Sequence, residues 1–141
     1  MTPRMSAAEY QALQQQVRSP SAMFQAKGRL PVGTMNKTEE AYAAHLEGQR
    51  HAGEVLWWKF EAIKLRLADN TFLTVDFAVL PASGFLTMVD VKGAAAIFTE
   101  DARVKMKVAA DLFPFAFQVV IPRRARDGGG WDIHDIGRVP A

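Results

Sequence analysis

Two strongly apolar strand patterns, residues 85–92 and 115–121, flank a helical period that runs from about residue 99 to residue 113. That order constrains the chain more than any other feature. A strand, a helix and a second strand in one sheet require a parallel pair joined by a right-handed crossover, with the helix on one face. Ala102, Met106, Ala109 and Phe113 form the stripe expected to face the sheet, with Val104 and Val108 widening it. Pro114 stops the helix. On the first strand Leu86, Met88, Asp90 and Lys92 share one face, opposite Thr87, Val89 and Val91.

The remaining elements fit around this unit. A helix is expected from Asn36 to about Ala52, stopped by Gly53, with Asn36 and Glu39 spaced for a capping box and Thr38 as a rival cap. Extended stretches follow at 55–60 and 63–68, then an Asp69-Asn70 turn and one long strand over 71–80. After the basic run Arg123-Arg124-Ala125-Arg126 and a glycine turn, residues 131–136 read as an edge strand. The expected class is α/β of the mixed α+β kind, a mixed central sheet flanked by helices. Residues 36–141 make the compact domain. Residues 1–35 read as a basic N-terminal arm, with a short helix over 6–18 and then a linker carrying Gly28, Pro31 and Gly33.

Composition excludes several classes. With 49% hydrophobic residues among 141, the chain has apolar surface enough for a core. No apolar run approaches the 18 or so residues of a membrane span. There is no cysteine, hence no disulfide, thiolate nucleophile or cysteine-based metal site, and His45, His51 and His134 lack metal-ligand spacing. The N-terminus lacks the apolar stretch of a secretory signal, and a cytoplasmic location is the expectation. Net charge is only +2, yet residues 1–38 hold five basic groups and one acid. A basic arm on a slightly acidic body suits an anionic partner such as nucleic acid, and soluble tails share the same look.

Three charged residues stand where charge is costly. Asp76 interrupts a run of Phe, Leu, Val and Ala, and Asp90 interrupts another, with Lys92 two residues on along the same face. An ionised carboxylate in a central strand needs a partner, since burying it alone costs several kcal/mol. Two carboxylates on adjacent strands, with an ammonium about 7 Å along one of them, would make a hard-oxygen site for Mg²⁺ or Mn²⁺. Periodicity alone does not assign that chemistry.

Glu39 in Met-Asn-Lys-Thr-Glu, Asp76 in Thr-Val-Asp-Phe and the run Asp90-Val91-Lys92-Gly93 together resemble the PD-(D/E)xK nuclease superfamily. The stretches MNKTEEAYAAHLE, WWKFEAIKLRLADNTFLTVDF, VDVKG and DARVKMKVAADLFPF resemble a family of small phage and prophage proteins assigned to it, over roughly residues 35–134. The resemblance implies a restriction-endonuclease-like core. It also implies that Glu39 (from a helix), Asp76 and Asp90 bind divalent ions directly or through water, while Lys92 assists the nucleophile. Similarity to the archaeal Holliday-junction resolvases implies Mg²⁺-dependent cutting of DNA, often branched, by a homodimer, here a phage or prophage protein in a bacterial host. Aspartate at 90 departs from the commoner glutamate. The carbonyl of Val91, between two side chains pointing into the site, is a further candidate ligand. Glu40, the rival helix acid, lies off the apolar face.

Basic residues placed to grip DNA phosphates are Lys37, Arg103 with Lys107 at i,i+4, and Arg123, Arg124 and Arg126. Readings without chemistry exist for each: a capping role for Glu39, a surface ion pair for Asp90 and Lys92, solvated faces for the basic groups. Trp57 and Trp58 alternate across a strand, so one is expected in the core and the other covered by a helix, the arm or a partner. A DNA-junction binder that does not cut, and a phage protein that blocks a host enzyme, are the competing functions.

Overall fold

The computed structural model describes residues 6–8 and 33–137. The chain divides into two units, Met1–Asn36 and Lys37–Ala141. Apart from residues 6–8, the helix expected over 6–18 lies outside the described residues, as do Arg4, Arg18, Lys27 and Arg29.

The second unit runs α1 (Lys37–His51), β1 (Val55–Phe60), β2 (Lys64–Ala68), β3 (Thr71–Thr74), β4 (Phe77–Pro81), β5 (Thr87–Val91), α2 (Glu100–Leu112), β6 (Ala116–Pro122) and β7 (Trp131–Ile136), with 3-10 turns at Ala95–Ile97 and Ala125–Asp127. Among the described residues a five-stranded sheet has the order β1-β4-β5-β6-β7, and β2 pairs with β3 in a separate ribbon. β5 and β6 are parallel; the other neighbours are antiparallel. The protein is therefore mixed α+β, and α2 supplies the crossover that the parallel pair requires. No helix among the described residues is long and apolar enough to cross a membrane.

Local chemistry sets the helix ends. Thr99 caps α2, its Oγ1 accepting from the Ala102 N–H at 3.3 Å, and Glu100 and Asp101 sit in the first turn where the helix dipole favours acids. α1 has Glu39 and Glu40 in its first turn and Arg50 and His51 in its last.

Strand alternation splits the core between the two faces of the sheet. Ala78, Met88, Phe117 and Val119 pack with Met106 and Ala109 of α2. On the opposite face Phe77 meets Tyr42 of α1 at 5.3 Å between ring centroids, and Tyr42 meets Trp131 at 5.0 Å. Trp58 and Phe60 crowd the same Phe77 ring. Trp58 is half-buried and donates from Nε1 to Glu47 Oε2 at 2.9 Å, whereas Trp57 is 41% exposed. That resolves which tryptophan belongs to the core.

Two expectations are corrected. The single strand over 71–80 breaks at Val75–Asp76 into β3 and β4. The opposing arm of the hairpin turns at the same level, where Glu61 has φ 48° and its N–H donates to the Asp76 carbonyl at 2.7 Å. β1–β2 and β3–β4 are thus one long antiparallel hairpin, bent once. The bend lays Leu65 and Val75 onto the α2 core beside Ala78, three residues from Val75. In a straight strand an odd spacing would send those two side chains to opposite faces. Val104 and Val108 do not widen the buried stripe of α2: they are 51% and 38% exposed, while Met106 and Ala109 are buried.

Candidate functional site

Topology gathers the singled-out acids at one end of the sheet. β5 and β6 are parallel, so their C-terminal ends lie together, and antiparallel β4 begins at that same end, with Phe77 opposite Val89. Asp76 precedes β4; Asp90 lies at the end of β5 and Lys92 just after it; Arg123 follows β6. The start of α1 reaches this end too, since a Cβ on Gly93 would stand 3.7 Å from Thr38 Oγ1.

The bend in the hairpin aims Asp76 across to β5. Its Oδ2 accepts from the Val91 N–H at 2.8 Å, so Val91 touches the site through its N–H. The Asp90 carboxyl lies beside it, and the Lys92 Nζ stands 3.1 Å from Asp90 Oδ2. The Lys92 N–H donates to the Val120 carbonyl at 3.0 Å, fixing the backbone that carries the ammonium. Asp90 and Lys92 side chains are 15% and 23% exposed, so their ion pair is not a freely solvated one. Burial, the neighbouring charge of Asp90, a hydrogen bond with it and the charge of Glu39 push the Asp76 carboxyl up to about 8, against the opposing pull of the Val91 N–H. Glu39 itself is buried, 8% exposed.

Asp76, Asp90 and Lys92 open into a cavity of about 410 Å³, which Glu39 does not line. Leu73 and Thr74 from β3 form one wall, and Asp101, Ala102, Lys105 and Met106 from α2 form the other. Asp101 and Lys105 were not singled out in the sequence. Their i,i+4 spacing is the same signal that Arg103 and Lys107 carry, and only packing tells which flank of α2 meets the cleft. Arg103 lies on the other flank: its guanidinium sits 5.0 Å over the Phe98 ring, in a separate cavity of about 260 Å³ with Ile121, His134 and Ile136. Lys107 is exposed and does not line the cleft. Lys37 is exposed at the first position of α1. Arg123 pairs with Asp132 at 3.4 Å and Arg124 with Asp127 at 3.6 Å, while Arg126 is exposed.

Among the described residues no group of three or more acids or histidines stands at metal-binding spacing. What the fold brings together is a pair, Asp76 and Asp90, with Glu39 close enough to act on Asp76 by charge. That pair suits Mg²⁺, which is commonly held by one or two carboxylates and keeps waters and substrate phosphate oxygens in its other positions. Two adjoining carboxyls whose repulsion is only partly relieved are the chemistry a cation would complete. Direct ligation by all three acids is not what the geometry offers; Glu39 would act through water or at a distance.

Comparison with protein-family models, with curated proteins and with solved structures gives no match.

Proposed function

We propose that this chain is a divalent-metal-dependent DNA endonuclease with a restriction-endonuclease-like core. One observation carries the reading: Asp76 and Asp90 are held carboxyl to carboxyl at the end of the sheet, with Lys92 3.1 Å from Asp90, in a cavity open to a substrate strand. Asp76 and Asp90 would hold Mg²⁺, or Mn²⁺ in its place. When bound, such an ion polarises the phosphoryl oxygen and makes its water a stronger nucleophile at neutral pH. Val91 restrains Asp76 through Oδ2. The Lys92 ammonium, anchored through its backbone at Val120, orients the water or donates to the oxygen that gathers charge. A P–O bond to water forms as the P–O bond to the sugar breaks; the attacking water gives up a proton to solvent, and the leaving oxygen takes one up from it. Arg123, Arg124, Arg126 and Lys37 supply positive charge for the flanking backbone, the arginines leaving the sheet at the end where the acids lie. The branched substrate, the homodimer and a phage DNA-processing setting rest on the resemblance to the PD-(D/E)xK proteins.

Labelled junction, flap, duplex and single-stranded DNA, given to the purified protein with and without Mg²⁺, test the reading. Cleavage that requires the ion is expected, with branched DNA preferred. Lys92→Ala should bind DNA as before and cut it ~10²-fold more slowly. No cleavage of any substrate with Mg²⁺ or Mn²⁺ would overturn the proposal.

A further inference from the structure

We infer that Lys105 of α2 is a substrate-positioning residue that grips a backbone phosphate next to the one being cut. The inference rests on the nuclease reading and adds to it a residue outside the acid–lysine motif. Lys105 lines the same cavity as Asp76, Asp90 and Lys92, but from the helix wall. The two lysines differ in one respect that matters for an anionic substrate. Lys92 is tied to Asp90 at 3.1 Å, whereas Lys105 makes no ion pair among the described residues and is exposed.

The placement of charge on the helix wall favours a cation there. Asp76, Asp90 and Asp101 all line this cavity, and a phosphodiester entering it meets acids on both walls. An ion on Asp76 and Asp90 would offset the acids at the reacting phosphate but not Asp101 on the helix. Lys105 lies one helical turn beyond Asp101 and faces the same cleft. A strand threading between β3 and α2 therefore passes its ammonium. Arg103 cannot take this role from its place over Phe98 on the opposite flank. A phosphate needs only a positive charge within reach here, and arginine carries one too, so arginine at 105 should serve as well as lysine.

Lys105→Ala removes a solvated side chain and leaves the best helix former, so the fold should survive. Anisotropy of a labelled flap DNA in metal-free buffer, read between 50 and 200 mM salt, should show the slope of log K against log salt reduced by about 0.9 for the variant. Wild type then loses about threefold more affinity over that range than Lys105→Ala does. In Mg²⁺ the KM should rise while kcat holds, and calorimetric Mn²⁺ binding should match wild type. Lys105→Arg should restore slope and KM. Wild-type slope and KM in Lys105→Ala, from a protein that binds and cuts DNA, overturn the inference alone. The same losses in Lys107→Ala also overturn it, by making net charge rather than place the cause. A wild-type protein that neither binds nor cuts DNA overturns the nuclease reading and this inference with it.

Discussion

The two faces of the sheet use the same strands to opposite ends. Against α1, rings close on rings: Tyr42, Trp58 and Phe60 surround Phe77, Trp131 lies against Tyr42, and burial pushes the Tyr42 hydroxyl up to about 12. Glu47 ties that helix to β1 through Trp58, and its hydrogen bonds with Arg50 and Trp58 hold its carboxyl down at about 2. Against α2, an aliphatic core of Met88, Met106, Val119 and Ala109 gives way at the sheet's end to Asp76 and Asp90. One face is satisfied, and the other holds a repulsion in place. A well-packed face lets its opposite carry groups that would otherwise push the structure apart, which is a common bargain at functional sites.

The largest expected effect crosses the two faces. Asp90→Asn should lower Mg²⁺-dependent cleavage by ~10³-fold or more, because one of the two carboxylates that would hold the ion is gone. Leu46→Ala, in the α1 core and 1% exposed, should do the reverse. Urea denaturation should show ~2–5 kcal/mol lost, with cleavage by the remaining folded protein unchanged. Equal loss of cleavage in both variants would erase the contrast between the faces.

A smaller effect is expected with pH. Asp76 holds its proton up to about 8 in the folded chain but gives it up near the ordinary carboxylate value of about 3.9 when unfolded. Between those values the folded state binds a proton that the unfolded state does not. Metal-free stability should therefore fall as pH rises from about 4 to about 8, by on the order of 1 kcal/mol or more. Asp76→Asn should flatten that slope, and millimolar Mg²⁺ should restore stability at the upper end. Denaturation midpoints at pH 5 and pH 8 measure it; a flat wild-type profile would mean the acid pair is not under strain.

The smallest effect separates the neighbouring tryptophans. Trp58→Phe loses the donor to Glu47 and should cost ~1 kcal/mol, read as a shift in urea midpoint. Trp57→Phe should stay within about 0.5 kcal/mol. Parity between the two would deny α1 its tie to β1.

Most elements were legible because apolar periodicity and the Gly53, Asn70 and Pro114 stops are local signals. The break at Val75–Asp76 was not. Apolar residues continue on both sides of it, and the bond that Asp76 makes there goes to Val91, fifteen residues away. Asp76, Asp90 and Lys92 stood out because charge inside an apolar strand is conspicuous. Lys105 did not, because a lysine on a helix surface reads as solvated until the crossover decides which flank looks into the cleft. Sequence spacing ranked Arg103 with Lys107 ahead of it for the same reason.

Among the described strands, β1 and β7 leave the sheet with two open edges, each a row of unpaired backbone groups on which another chain could stack. Neither row is flat and neutral. β1 slips register between Val55 and Trp57, which twists the ladder where a neighbour would have to lie. β7 carries exposed Asp132 and Asp135 on either side of Ile133 and His134. An incoming strand therefore meets a kink at one margin and carboxylates at the other, and growth into fibres is discouraged from both sides.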